Sequence, residues 1–416
     1  MMKRLTYRAL LFLSALGCGF GPLSAQTGVG FASVQALSSV PDCNLPLIHL
    51  NGTDRLTVSF DDLQDRDMNL RYRVIYLNTD GTPSSLREIE YMEGINKTDI
   101  SDVEYSFNTR SNYVHYSFVF PQKGRNVKLS GAYCFEIFES EYPDRVLLRI
   151  PFMVCETGVS IDLKIKPPTR VDLVRSHQEV EVKVKPVRND LHIVQAERSL
   201  QVYAMQNQNT LTLRRLPLSY QTGDDFYYNN KNEDVFDGQN EFRNIDLRPI
   251  MYAGRGIDFT RVLNDRWNAQ TLLQKSREYK PYQSDDDIDG NFVIKAEGME
   301  NSDVEAEYVM VHFVLQENPV PGREVYVIGK FNDWKCADGN RMTYDNNMKM
   351  YTLSLLLKQG FYDYMFAVKT SDGIHIPYLE GDHQETENDY YIYVFYREPG
   401  GRNDRLLGVT KGNSRQ

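Results

Sequence analysis

The sequence predicts an all-β protein: tandem immunoglobulin-like β-sandwich domains behind a cleaved signal peptide. Three observations carry that expectation. Short runs rich in Tyr, Val, Ile and Phe recur from residue 56 onward, separated by turn residues and without a helical apolar period. The aromatic complement is 27 Tyr and 20 Phe but only 2 Trp, a bias that suits pleated, half-buried surfaces. With 416 residues, 41% of them hydrophobic, the chain can fill two or three ordinary cores.

The first residues read as an address. Lys3, Arg4 and Arg8 precede the apolar stretch from Ala9 to Leu16, and Leu23-Ser24-Ala25 offers a small-residue cleavage site before Gln26. A lipoprotein anchor at Cys18 is the rival; Gly17 fits it, but Ala15 stands where a Leu is expected. Removing residues 1–25 takes away three cations and no acid, so the net charge of −10 becomes −13.

Strand signals then follow in order. Leu56 to Phe60, Leu70 to Leu77, Tyr113 to Phe120, Tyr133 to Phe138 and Arg145 to Val154 are bounded by turn chemistry such as Asn78-Thr79-Asp80-Gly81. They make an N-terminal β-sandwich over 26–158. Val159 to Ile165 and the strictly alternating Glu179 to Val184 open a middle β-rich domain, 159–298. It continues through Leu200 to Ala204, Leu211 to Leu216 and the Asn/Asp-rich stretch from Asn229 to Asn240. Ile257 to Tyr279 alternates around Asn264-Asp265 and reads as a hairpin. Strands resume at Asn291 to Ala296, Glu305 to Leu315, Glu324 to Lys330, Met350 to Leu357, Phe361 to Lys369 and Tyr390 to Tyr396. Those from residue 299 on form a C-terminal early-set immunoglobulin-like sandwich, 299–400, followed by a polar tail, 401–416. No repeat period marks a solenoid or propeller.

Composition and motif content exclude several classes. An acidic chain lacks the concentrated basic face that nucleic acid needs. No run of about eighteen apolar residues supports a transmembrane segment. No two of the 7 His stand at zinc-ligand spacing, and neither a G-x-S-x-G nor a phosphate loop is present. The chain therefore reads as a non-enzyme without a cofactor. His115 and His312 lie inside apolar strands and read as hydrogen-bonded structural residues. The acidic pairs Asp61-Asp62 and Asp224-Asp225 read as loop solvation or turn caps. Asp285, Asp287 and Asp289 before Gly290 match the first half of a calcium-binding EF-hand loop and are the metal candidate; Ala296 occupies the closing position, where a Glu is required. Cys43, Cys134, Cys155 and Cys336 would survive export, either as one bridge or as buried free thiols.

The richest local pattern is Val325 to Trp334, in which a strand ends at Gly329 and Phe331 and Trp334 flank the Asn332-Asp333 turn. Downstream, Gly360 sits between Leu357-Lys358-Gln359 and an aromatic strand. Together these resemble early-set immunoglobulin-like domains, among them starch- and glycogen-binding modules. In such modules a flat aromatic pair and a Lys hold sugar rings. Trp334 matches the first aromatic, but Ile374, His375 and Met365 stand at the other contact positions. Gly329, Phe331, Asn332, Trp334 and Gly360 are therefore read as structural, with Trp334 a core plug.

Over the whole mature chain the order of motifs resembles the plug protein family of the Bacteroidetes type IX secretion system. The carrying residues are Ser59-Phe60-Asp61-Asp62-Leu63, Leu129 to Cys134, Gln206-Asn207, Glu241-Phe242-Arg243, Gly329 to Trp334 and Leu357 to Tyr362. The cysteine cluster in the first domain departs from the family pattern. The resemblance implies a periplasmic protein, peripheral to the inner face of the outer membrane. It would bind the giant outer-membrane β-barrel of the type IX translocon and close its periplasmic opening when cargo is absent. Which residues contact the translocon is unknown from sequence. The alternative reading is an exported carbohydrate-binding module protein.

Overall fold

The computed structural model describes residues 26–27, 30–41, 43–66, 68–319 and 321–415. The expected signal peptide, with its Cys18 alternative, lies outside the described residues. The expectation of an all-β fold holds, and the strands build three two-sheet sandwiches.

The first sandwich faces a four-stranded sheet against a six-stranded one. The smaller orders Phe31–Ser38, Leu56–Asp62, Val114–Phe120 and Asp102–Tyr105; the larger is centred on Leu70–Leu77, Gly131–Glu139 and Val146–Cys155. Leu70–Leu77 buries every second residue, as its sequence alternation requires. Tyr72 stacks on Phe118 across the gap, and Phe135 on Phe152 of the neighbouring strand in the larger sheet, each with centroids 4.2 Å apart.

The second sandwich is discontinuous in sequence. One sheet holds Val159–Lys166, His177–Pro186, Asp225–Tyr228 and Tyr220–Thr222, and the facing sheet runs Arg214–Leu216, Leu200–Gln206, Asp389–Tyr396, Arg405–Asn413. Between Val235–Asp237 and Asp389–Tyr396 the third sandwich is inserted. Its central strand, Gly360–Lys369, pairs with Arg243–Asp246, Phe292–Ile294, Glu324–Ile328 and Ile374–His375. The opposite sheet orders Ile257–Leu263, Arg266–Thr271, Tyr308–Gln316, Met350–Lys358 and Thr343–Asp345. The first two of these form the expected hairpin around Asn264-Asp265.

Strand membership thus departs from the linear limits 159–298, 299–400 and 401–416. Arg243–Ile294 belongs with the third sandwich, and the strands after residue 388 return to the second. The expected polar tail is a paired strand, Arg405–Asn413. Gly408 and Gly412 let it lie close on the facing sheet, where a Cβ would come within 2.8 Å of Val159 and 2.7 Å of Leu163. Leu211–Leu216 is strand only from Arg214; Thr210–Thr212 is a 3-10 turn capped by the Asn209 side chain. Among the described residues Cys43, Cys134, Cys155 and Cys336 are all free thiols.

Apolar packing joins the units. Leu45, Leu47, Ala132 and Met153 of the first sandwich meet Tyr203, Met205, Tyr391, Tyr393 and Phe395 of the second in one buried cluster. Asp389–Tyr396 is consequently buried at every residue, one face in its own core and the other against its neighbour.

Candidate functional site: the junction of the three sandwiches

Several of the motif residues that carried the sequence resemblance lie where sandwiches touch, among them Asp61, Ala132, Glu241, Lys330 and Lys358. Asp61 is the clearest. Its strand, Leu56–Asp62, alternates until the pair Asp61-Asp62, both of which are fully buried. Asp62 does cap a turn, accepting from the Gln64 N–H at 3.1 Å and pairing with Arg66. Asp61, by contrast, is not solvated: it reaches into the third sandwich. Its Oδ2 accepts from Lys358 Nζ at 2.7 Å and from the Tyr308 hydroxyl at 2.6 Å, while Oδ1 lies 2.6 Å from His115 Nδ1. Lys358 also donates to the Asp303 carbonyl and lies 4.3 Å from the Tyr113 ring centroid. Burial lowers its pKa, opposed by Asp61. His312, the other strand histidine, bonds Ser354 and Asn268.

The first and second sandwiches close around Gly131. Tyr76 donates to the carbonyls of Ser130 (2.9 Å) and Asp404 (2.7 Å), Ser130 donates to Glu156, and Glu156 holds Arg405. Gly131 has φ +143, and a Cβ there would overlap the Tyr76 hydroxyl and sit 2.7 Å from the Asp404 carbonyl. Gly131→Ala is expected to destabilise the chain by about 2–4 kcal/mol, read from urea denaturation, because both strain and overlap fall on this contact.

Two chain crossings join the second and third sandwiches. Gln239 accepts from the His383 N–H and its own N–H donates to Asp382; Asn240 donates to the Glu380 carbonyl. Gln206 and Asn207 face this crossing. Gln206 donates to the Asp237 carbonyl, and Asn207 to Asn388, which in turn donates to Gln178. The Asn/Asp-rich stretch therefore ends as a buried amide network in which Gln206, Asn207, Gln239 and Asn240 each find partners. Glu241 accepts from Tyr282 and pairs with Arg415. Beside it, Glu380 binds Arg243 and Arg277.

At the same crossing, His177 stands between Asp237 (3.2 Å from Nε2) and Asp382 (3.5 Å from Nδ1). Among the described residues this is the cluster whose potential metal-ligand atoms converge, within 4.8 Å of one another. The two carboxylates face opposite ring nitrogens, which suits a clasped imidazolium; the hydrogen bond to Asp237 raises the His177 pKa. Sequence spacing hides this cluster, because its members are separated by the inserted sandwich.

The calcium candidates are placed differently. Asp285 turns outward to Arg255, whereas Asp287 accepts from the N–H groups of Phe242 (2.7 Å) and Asp289 (2.9 Å). Gly290 has φ +76 and leads into the strand Phe292–Ile294. Behind this turn Asp363 is fully buried; its Oδ2 accepts from Ile288 and Gly290, and its Oδ1 has no partner. Burial, then Asp287, pushes its carboxyl up to about 8. The folded chain keeps that proton while the unfolded chain loses it near 3.8, so this group's effect is a stability that falls as pH rises from 3.8 through about 8. Asp363→Asn should flatten this slope and gain about 1–3 kcal/mol over wild type at the alkaline end, measured by urea midpoints across pH.

The segment 329–334 completes the junction. Asn332 Oδ1 accepts from the Gly329 N–H at 3.0 Å, and its Nδ2 donates to the Val327 carbonyl at 2.9 Å, which sets the turn. Phe331 meets Tyr362 edge-on, and Gly360 lies close to the Val293 carbonyl. Trp334 is 1% exposed, packed with Phe242, Tyr326 and Met365 on the outer face of the central sheet. Trp267 is half-buried. Neither offers the open platform that sugar stacking needs. Lys330 donates to one oxygen from each sandwich: the Asn44 carbonyl (3.1 Å), Gln208 Oε1 (2.5 Å) and Asn291 Oδ1 (2.8 Å). Burial pushes its ammonium down to about 8.

Comparison with known proteins agrees with this architecture. A crystal structure of a hypothetical protein from Parabacteroides merdae ATCC 43184, determined at 2.30 Å, superposes with a TM-score of 0.90 at 28% identity; the match covers 94% of this chain and 99% of that one. Among curated proteins none matches. Residues 31–156, the first sandwich, match the family model described as type 9 secretion system plug protein, first domain. That match places the first sandwich with the first domain of type 9 secretion system plug proteins and supports a role in that secretion system.

Proposed function

We propose that the protein is a periplasmic, non-enzymatic plug, peripheral to the outer membrane, that binds the large translocon barrel of the type IX system and closes its inner mouth. The observation that carries this reading is the family match of residues 31–156, on a body whose sandwiches are tied through the buried Asp61–Lys358 ion pair and buried hydrogen bonds such as Tyr76 to Asp404. A barrel wide enough for folded cargo leaves a large aqueous opening, because diameter grows with strand number. Its stopper must be broad and must not flex apart under load. Linked sandwiches joined by beads-on-a-string linkers would not meet that demand; a first and second unit that share an apolar interface, with the third inserted into the second, suit it better.

Affinity purification of the tagged protein from outer membranes in mild detergent, followed by mass spectrometry, tests the binding. A giant β-barrel protein recovered in near-stoichiometric amount is the expected result. Recovery of the protein alone, free in the periplasmic extract, would count against it.

A further inference from the structure

A cavity of about 560 Å³ opens to solvent where the three sandwiches meet. Its floor continues the apolar interface of the first two, since Leu45, Met153, Met205 and Tyr393 belong to both. Its sides are strand edges. Residues 34–38 line it in unbroken succession, and so do Asn291, Phe292 and Val293. Successive residues of a strand point to opposite faces, so an unbroken run in one wall means that the strand is met edge-on.

Both edges are open among the described residues. Phe31–Ser38 ends its sheet and pairs with Leu56–Asp62 alone, and Phe292–Ile294 pairs with Gly360–Lys369 alone. The Ser39 N–H donates to the Arg55 carbonyl, and antiparallel bonding alternates from there, so the N–H and C=O of Ala36 turn to the free side. Counted the same way from the bond between the Asp363 N–H and the Asn291 carbonyl, the N–H and C=O of Phe292 do so too.

Free edges are ordinarily blunted by charge or proline. Three other strands that end their sheets follow this rule: Asp102–Tyr105 carries Asp102 and Glu104, Val159–Lys166 carries Asp162 and Lys164, and Ile257–Leu263 carries Asp258 and Arg261. Residues 34–38 and Phe292–Ile294 hold neither a charge nor a proline, and Leu37 and Val293 are 57% and 51% exposed. Charge in the cavity wall is already matched, because Lys330 donates to Asn44, Gln208 and Asn291, and Asp333 pairs with Lys335. The unmet demand is for backbone hydrogen bonds beside apolar surface.

We propose that this cleft receives an extended, uncharged segment of a partner polypeptide. The segment adds as a strand to the edge at residues 34–38 and lays its alternate apolar side chains on the cavity floor, which lengthens the apolar interface already present there. That edge runs about 13 Å, enough to pair a segment of similar length. The inference stands on the cleft itself and does not depend on the plug reading.

Calorimetric titration of the full chain with a capped seven-residue peptide, Thr alternating with Val and Leu, tests it. The same peptide N-methylated at its three central amides is the control. Saturable one-to-one binding, weakened at least tenfold by N-methylation, is expected, with amide exchange over residues 34–38 slowed at least tenfold in the complex. Ala36→Pro removes the outward N–H and no ladder bond, so the variant should fold like wild type yet bind at least tenfold more weakly. Val293→Lys, which sets a charge on the facing edge from an exposed position, should weaken binding several-fold. No binding of the peptide, equal binding of its N-methylated form, or wild-type affinity in both variants would overturn the proposal. So would a dimer of the free chain that Ala36→Pro dissociates, since a second copy would then be the occupant.

Discussion

Asp61→Ala is expected to lower the unfolding free energy by about 3–5 kcal/mol, the range for removing one partner of a buried ion pair. The substitution leaves Lys358, 2% exposed, with the Asp303 carbonyl and the Tyr113 ring but no counter-charge, and leaves the Tyr308 hydroxyl and His115 without their shared acceptor. The loss falls between the first and third sandwiches, so the urea transition should also broaden or split as the two cease to unfold together. Asp61→Ala combined with Lys358→Met should recover much of the loss, since an apolar pair carries no stranded charge. A single-variant loss below about 1 kcal/mol would mean that this contact does not hold the sandwiches together.

Glu380→Gln should cost nearly as much. Its carboxylate accepts from Arg243 Nε at 3.0 Å, Arg277 Nε at 2.8 Å and the Phe366 N–H at 2.8 Å. Complete burial alone would raise its pKa, but the two guanidiniums outweigh that and hold it at about 2, against an ordinary 4.5. That difference corresponds to roughly 3 kcal/mol. Because the folded value is the lower one, the contribution is present above 4.5 and is lost as pH falls through about 2. Urea midpoints measured down this range should fall for wild type and stay flatter for the variant. Parallel curves would place the acid sensitivity elsewhere.

How much of this was legible in the sequence depends on locality. Leu70–Leu77 and Glu179 to Val184 alternate, and both form strands whose pattern sets one face inward. The hairpin at Asn264-Asp265 was equally local. The insertion was not, because the strands of host and insert have the same composition, and no residue near 238 or 388 announces that the chain will return. Asp389–Tyr396 read simply as a hydrophobic strand; that both its faces are covered is a property of the neighbouring sandwich. Asp61 shows the same limit in a side chain. An acidic pair at a strand end looks solvated until the Lys supplied from almost three hundred residues away is known. The segment 329–334 announced its turn and the burial of Trp334, but not that Lys330 would reach an oxygen of each sandwich. The polar C-terminal segment misled for another reason: Gly408 and Gly412 weaken strand propensity yet are what allows close sheet packing.

Ion conductance through planar bilayers holding the purified outer-membrane translocon tests closure of the barrel most directly. Adding the protein from the periplasmic side should collapse the conductance to near the bare-membrane level, at protein concentrations that saturate co-purification. The Asp61→Ala form, with its sandwiches loosened, should block less completely. Conductance unchanged by a protein that demonstrably binds the translocon would contradict a plugging role.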